Sequence, residues 1–284
     1  MIKAYYRLTK PGIIYGNALT AIGGFFLAAK SSFSLELFLS MLLGLSLVIA
    51  SACVFNNVMD QGIDSKMKRT QRRALVTKTI SEFHAVIYAT ILGILGFLIL
   101  LINTNFLTFG IAFIGFFFYV IMYGISKRRS VHGTIVGSIS GAVPPVVGYC
   151  AVTNNFDMAA LLLFLILVIW QMPHFYAIAM FRSRDYAAAS IPVLPVKEGF
   201  FQAKIQILAY IIIFILVSDL LTILHYTGYI YFIVMTAFGI CWLILSIEGF
   251  RTTDDSRWAR KIFFFSLIVI TVFSLLLIGT AWLI

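Results

Sequence analysis

The most informative shortage in this chain is charge. Only 11% of the 284 residues are charged and 61% are hydrophobic, whereas soluble domains carry about 25% charged residues. This composition lies far outside the globular norm and excludes a chain built from soluble domains. Cysteine is also scarce, with Cys53, Cys150 and Cys241 all in apolar runs. Their odd number and wide spacing predict neither a disulfide framework nor a zinc site, so we expect small packing residues.

Apolar runs of bilayer length recur along the whole chain. A run of roughly 20 apolar residues can cross a bilayer as a helix, and the first run lacks the small-residue cleavage site of a removable signal peptide. We therefore predict one all-α integral membrane domain over residues 1–284, with a polar cavity that opens to the cytoplasm. The nine predicted spans are about 12–29, 34–55, 83–103, 105–125, 133–152, 159–181, 205–224, 228–248 and 262–283.

The basic residues are distributed very unevenly between the two sides of this nine-span arrangement. Of the 21 Lys and Arg residues, all except Lys30 fall at the N-terminus or in alternate connections. Such loops are cytoplasmic, so we predict a cytoplasmic N-terminus and a periplasmic C-terminus. The net charge of +10 is thereby explained by topology, and no nucleic-acid partner is predicted.

An amide and two carboxylates stand four residues apart in the segment NNVMDQGID. This spacing places Asn56, Asp60 and Asp64 on one face of a helix that continues from the second span. Hard oxygen ligands suit Mg²⁺, which often bridges carboxylates and substrate phosphates. A solvated helix end is the alternative, but polar groups at this depth are costly and usually functional. A basic stretch suited to phosphate follows, with Lys66, Lys68, Arg69, Arg72 and Arg73.

Three further places carry polar side chains with two open interpretations each. Tyr123 and Lys127 share a helical face and could meet a diphosphate, or Lys127 could serve topology alone. His174 could be a ligand or a hydrogen-bonded packing residue, and we expect the proline after Met172 to push that residue out of helical geometry. Asp185, with its neighbouring arginines, could belong to the site or to a surface ion-pair cluster.

The fifth predicted span combines small residues with a proline pair. Gly133, Gly137 and Gly141 recur at a spacing of four, and Pro144 and Pro145 follow. Small residues at this spacing favour close helix packing, and proline bends or interrupts a span. The alternative use of the glycines is room for a bulky substrate.

These patterns together resemble a known family. The NxxxDxxxD pattern and the following MKRTQRRALV are similar to the first aspartate-rich motif of the UbiA-type intramembrane prenyltransferases. The stretches at 8–17, 123–153 and 170–196 resemble the branch of that family that acts on heme, and the resemblance covers nearly the whole chain. Two positions depart from the family pattern. Ala189 stands where other members complete a second DxxxD motif after Asp185, and Ala74 stands where many relatives have proline.

The resemblance implies a Mg²⁺-dependent transfer of farnesyl from farnesyl diphosphate to the 2-vinyl group of heme b, in a bacterial inner membrane. It also implies handover of the product to a terminal oxidase. Three alternatives remain: prenylation of an aromatic or quinone precursor, secondary transport, and a structural role in oxidase assembly. The implied catalytic residues are Asp60, Asp64, Lys127, Asp185 and His174, and the implied metal ligands are Asn56, Asp60, Asp64 and Asp185. The implied substrate contacts are Asn17, Asn56, Lys66, Arg69, Arg72, Arg73, Tyr123, Arg182 and Tyr186.

Overall fold

The computed structural model of the chain describes residues 1–29 and 32–280 and is helical throughout its membrane-spanning part. Nine of its helical segments are long and apolar enough to cross a membrane, as predicted. Lys30 and the end of the ninth predicted span lie outside the described residues. The helices are α1 (Ile2–Leu8), α2 (Pro11–Ala29), α3 (Leu35–Met59), α4 (Gln61–Asp64), α5 (Glu82–Asn103), α6 (Phe106–Phe117), α7 (Tyr123–Arg129), α8 (Gly133–Gly141), α9 (Val143–Thr153), α10 (Met158–Phe181), α11 (Ser183–Ala188), α12 (Leu194–Lys197), α13 (Gly199–Ile223), α14 (Tyr229–Glu248) and α15 (Asp255–Thr280).

Short polar side chains start several of these helices. Ser34, Ser81, Asn105 and Asp157 each accept a hydrogen bond from a backbone N–H in the first turn that follows. These bonds satisfy N–H groups that have no partner within the helix. The caps therefore place the ends of α3, α5, α6 and α10 at the boundary between the apolar runs and their connections.

Small residues set the closest helix crossings. A Cβ added at Gly24 on α2 would lie 2.0 Å from the Pro145 carbonyl oxygen, and one added at Gly148 on α9 would lie 2.0 Å from the Ala21 carbonyl oxygen. The backbones of α2 and α9 therefore touch, as small residues permit in membrane bundles. The glycines of the fifth span also pack closely: added Cβ atoms at Gly137 and Gly141 would meet the Tyr123 ring and the Gln171 amide.

The structure corrects several details of the predicted spans. The seventh and ninth spans begin at Gly199 and Asp255, because short apolar or amphipathic turns precede the hydrophobic runs. The helix α10 continues through Pro173, so the expected departure of Met172 from helical geometry is wrong. Neighbouring helices in a bundle tolerate such prolines by satisfying the freed backbone groups. The proline pair does interrupt the fifth span, which breaks at Ala142 between α8 and α9. Cys241 is exposed and does not pack in the core as expected.

Candidate active site

A cavity of about 1140 Å³ lies among the helices and is lined by residues from the predicted site. One wall is polar and consists of α4, α7 and the end of α3. The facing wall is formed by α10 and α15 and carries aromatic side chains, among them Trp170, Phe175 and Phe263. One wall is therefore suited to a charged group and the other to a flat apolar group.

The polar wall contains the three motif residues, all of them buried. Asn56 is 3% exposed, Asp60 8% and Asp64 4%. The helix does not run on unbroken as predicted, because α3 ends at Met59 and α4 begins at Gln61. The backbone N–H of Asp60 still donates to the Asn56 carbonyl and that of Asp64 to the Asp60 carbonyl, so the four-residue repeat survives the interruption. All three side chains therefore reach the cavity.

Each of the two carboxylates is paired with a cation. Lys127 Nζ lies 2.5 Å from Asp60 Oδ2, and Arg73 Nη1 lies 2.6 Å from Asp64 Oδ2. Arg73 also donates to Asn57 Oδ1 at 3.1 Å, and Asn57 in turn donates to the Leu8 carbonyl at 2.8 Å. Arg73, from the basic stretch after the motif, is thus held against the polar wall, and its guanidinium is a group suited to bind phosphate oxygens.

Lys10 completes the polar wall, and the sequence analysis missed it. Its Nζ donates to Asn56 Oδ1 at 2.8 Å across 46 residues of sequence. The Lys10 backbone is left-handed, with φ of 51°, a conformation that is uncommon for a residue with a side chain and concentrates at functional sites. Burial lowers the pKa of the Lys10 ammonium to about 8. The sequence feature that could have identified Lys10 is its position directly before Pro11, where the first span begins.

A local π-helical turn shapes the fourth span beside the carboxylates. Residues Phe118–Met122 wind as a π-helix between α6 and α7. Such turns are rare and occur frequently at functional sites. The turn is followed by Tyr123, whose ring stacks on Tyr119 at 5.8 Å and lies 5.0 Å from Lys127 Nζ. Both tyrosines line the cavity next to the Asp60 pair.

The segment after α10, which includes α11, supplies another part of the rim. Arg182 and Tyr186 line the cavity, as does Arg69 from the basic stretch. Burial raises the pKa of Tyr186, and the nearby Arg69 guanidinium opposes the shift. The two connections predicted to form the site therefore meet at one rim.

His174 sits on the aromatic wall rather than the polar one. Its Nδ1 lies 2.8 Å from Ser266 Oγ on α15, and its ring stacks on Trp170 at 4.8 Å and lies 4.9 Å from Phe263. Trp170 Nε1 donates to the Ser266 carbonyl at 2.9 Å, so Ser266 fixes both rings. The other His174 nitrogen has no hydrogen-bond partner among the described residues.

Most predicted site residues line the cavity, but three do not. Lys66 and Arg72 are exposed and lie outside the lining, because the turns of 65–80 bury Met67 and Leu75 and direct these two outward. Asp185 is half-buried beside Tyr186 and likewise lies outside the lining. The predicted residues that do line it are Asn17, Asn56, Asp60, Asp64, Arg69, Arg73, Tyr123, Lys127, His174, Arg182 and Tyr186.

The donor set of the polar wall fits a divalent cation bound together with an anionic ligand. Residues 1–29 and 32–280 contain no group of three or more His, Cys, Asp or Glu that could hold a metal by itself. Two buried carboxylates and one amide are instead what Mg²⁺ uses when phosphate oxygens complete its shell. The Asn56 Nδ2 atom is buried and has no hydrogen-bond partner within residues 1–29 and 32–280. An unsatisfied buried donor is costly and indicates a missing acceptor at this point.

The fold and the polar wall define a class of intramembrane enzymes. A model of the UbiA prenyltransferase family matches residues 17–268. The chain therefore belongs to the UbiA prenyltransferase family. It is 51% identical to the protoheme IX farnesyltransferase of Protochlamydia amoebophila (strain UWE25), over 97% of both chains. It is equally identical to that of Serratia proteamaculans (strain 568), over 98% of this chain and 94% of the relative.

Solved structures share the same architecture at low sequence identity. A structure of digeranylgeranylglyceryl phosphate synthase superposes with a TM-score of 0.82 at 20% identity, covering 100% of this chain and 99% of the other. A UbiA homolog from Archaeoglobus fulgidus bound to GPP and Mg²⁺ superposes with a TM-score of 0.70 at 15% identity, covering 97% and 99%. These two matches establish the fold.

Proposed function

We propose that this chain transfers the farnesyl group of farnesyl diphosphate to the 2-vinyl group of heme b, giving heme O and diphosphate. The observation that carries the proposal is a single cavity with a polar wall for a diphosphate and an aromatic wall for a flat apolar acceptor. The full-length similarity to protoheme IX farnesyltransferases supports heme b as that acceptor.

The polar wall would hold the diphosphate and promote its departure. Asn56, Asp60 and Asp64 are the proposed ligands of Mg²⁺, which when bound would neutralise charge on the diphosphate oxygens. Release of Lys127 and Arg73 from their carboxylates would leave one buried and one half-buried cation facing the leaving group. One well-placed electrostatic group of this kind contributes about 3 kcal/mol in the transition state. Arg69 and Arg182 extend the positive charge along the rim.

The aromatic wall would present the acceptor. The electron-rich vinyl group captures the farnesyl carbon through its terminal CH₂ as the allylic carbon–oxygen bond breaks. Water then adds to the remaining vinyl carbon and loses a proton, which gives the hydroxyl of the product. The apolar lining keeps this water from reaching the farnesyl carbon first. The second ring nitrogen of His174, which has no hydrogen-bond partner among the described residues, could accept the proton that this water loses. Its alternative role is a contact with the heme.

The location and orientation of the enzyme in the membrane follow from the same features. We infer a cytoplasmic N-terminus and a cavity open to the cytoplasm from the uneven distribution of basic residues. A bacterial inner membrane fits the nine spans and the bacterial relatives. A terminal oxidase would then receive the product. Asp185 lies outside the cavity lining. Its predicted role as a fourth metal ligand stays a prediction, which replacement of Asp185 tests.

Mass analysis of hemes extracted from membranes with and without this chain tests the proposal. We expect a species heavier than heme b by one farnesyl group and one hydroxyl group only when the chain is present. Labelled farnesyl diphosphate supplied with heme b or with hydroxybenzoate distinguishes the acceptors. Label in hydroxybenzoate and none in heme would contradict the proposal, as would uptake without any covalent product.

A further inference from the structure

Two arginines flank a single phenylalanine at the mouth of the cavity. The guanidinium carbon of Arg182 lies 5.4 Å from the centre of the Phe181 ring, and that of Arg260 lies 5.8 Å from the same centre. Arg182 follows α10, whereas Arg260 is on the first turns of α15. All three side chains line the cavity. The guanidinium carbons of two arginines from distant parts of the sequence therefore lie at most about 11 Å apart at one edge of the cavity.

Neither guanidinium has an ion-pair or hydrogen-bond partner among the residues that the structure describes. Three other cations near the motif are engaged: Lys127 and Arg73 with the carboxylates, and Lys10 with Asn56. Two like charges facing one ring without a counter-ion repel each other. This arrangement is explained if an anion from outside the chain neutralises them.

The position of Arg260 separates it from the diphosphate-binding wall. It lies on the same helix as Phe263 and Ser266, which form and brace the aromatic wall around His174. A ligand that touches Arg260 therefore lies against the aromatic wall. Such a ligand needs a flat apolar body and an anionic edge, because the wall is apolar and the mouth is cationic.

We propose that Arg260, together with Arg182 across Phe181, binds the carboxylates of the porphyrin acceptor. The inference rests on the proposed function and names the subsite that orients its acceptor. Heme b has this shape, because its two propionates lie along one edge and its vinyl groups lie on the opposite side. Holding the propionates at the mouth directs the vinyl side inward, toward the polar wall. Arg182 also neighbours Tyr186, so it can serve either substrate, and Arg260 is the discriminating residue.

The test compares Arg260→Gln and Arg260→Lys in the full-length protein. Steady-state kinetics with farnesyl diphosphate and heme b give KM for each substrate. We expect Arg260→Gln to raise KM for heme b about 10-fold, at the lower end for a charged hydrogen bond because the guanidinium is exposed. KM for farnesyl diphosphate and kcat should change less than twofold, and Arg260→Lys should lie between. Lys261→Gln is the matched control, since Lys261 is exposed on the same helix and outside the cavity lining.

Heme b dimethyl ester, which lacks the propionate charges, provides a second arm. The native chain should bind the ester at least about 10-fold more weakly than heme b, and Arg260→Gln, which keeps Arg182, should show a smaller difference between the two ligands. Titration of the heme Soret band without farnesyl diphosphate measures this binding directly. The inference is overturned if the variant discriminates against the ester as strongly as the native chain, or if KM for farnesyl diphosphate rises as much as KM for heme b. Absence of farnesylated heme with the native chain would refute the proposed function, while the titration would still decide the role of Arg260.

Discussion

Replacing Lys127 by methionine probes whether its buried pair with Asp60 serves the reaction or only the fold. The two side chains are 9% and 11% exposed and their charged atoms lie 2.5 Å apart. The substitution leaves the Asp60 carboxylate buried, with Arg128 at 3.5 Å as its remaining cation. Removing one partner of a buried pair costs about 3–5 kcal/mol. Because Arg128 compensates in part, we expect a loss of about 3 kcal/mol in the free energy of unfolding.

The double variant Asp60→Asn with Lys127→Met separates stability from activity. Replacing both charges by neutral groups of similar volume is often close to neutral for stability, so we expect unfolding within about 1 kcal/mol of the native chain. Turnover should not recover, because both a proposed metal ligand and a cation proposed to face the leaving group are gone. A loss of about 3 kcal/mol in the transition state corresponds to at least about 100-fold in rate.

The measurement is heme O formation per folded molecule, alongside thermal unfolding in detergent. A matched control is the pair of Lys204 and Asp255, whose charged atoms lie 2.6 Å apart outside the cavity lining. Lys204→Met should lose stability while keeping its turnover per folded molecule. The reasoning would be refuted by a double variant of the Asp60 pair that turns over at close to the native rate.

Three further outcomes follow from the geometry. Lys10→Met should weaken farnesyl diphosphate binding by about 10- to 100-fold, because a charged hydrogen bond is lost. The measurement is KM for farnesyl diphosphate, with Lys3→Met as the exposed control, and an unchanged KM would show that Lys10 is not part of the site. Asp185→Ala should reduce turnover much less than Asp60→Ala, because Asp185 lies outside the lining; equal losses would restore it as a ligand. Gly148→Ala should abolish folded protein in membranes, since the new Cβ would stand 2.0 Å from a backbone oxygen. Gly110→Ala is the control, because its new Cβ would meet nothing within 4 Å. A normal yield of folded Gly148→Ala would contradict the close crossing of α2 and α9.

Local patterns in the sequence predicted the spans and the motif well. The apolar runs are continuous, so their number and approximate bounds follow from hydrophobicity alone. The four-residue spacing of Asn56, Asp60 and Asp64 predicted a shared face, and the three side chains do line one cavity even though the helix breaks at Asp60. The boundaries at Gly199 and Asp255 were less predictable, because the first turns of both helices mix apolar with polar or charged residues and give no continuous hydrophobic signal.

For the basic stretch, local sequence patterns did not predict which side chains face the cavity. Arg69, Arg73, Lys66 and Arg72 are alike in sequence, yet only the first two line the cavity. Which cations turn inward depends on the irregular turns of 65–80 and on Asn57, which holds Arg73 against Asp64. No periodicity governs such turns, so the direction of each side chain could not be assigned beforehand.

Two features follow from the order of the amino acids alone, because they depend on neighbouring residues: the apolar runs long enough to cross a membrane, and the acidic motif followed by a basic stretch. Only the tertiary structure joined Lys10 to Asn56, Ser266 to His174 and Arg260 to Phe181. These contacts link helices that lie 46 to 92 residues apart in the first two cases. Their partners are selected by helix packing, where close backbone approach and the shape of the bundle decide which side chains meet.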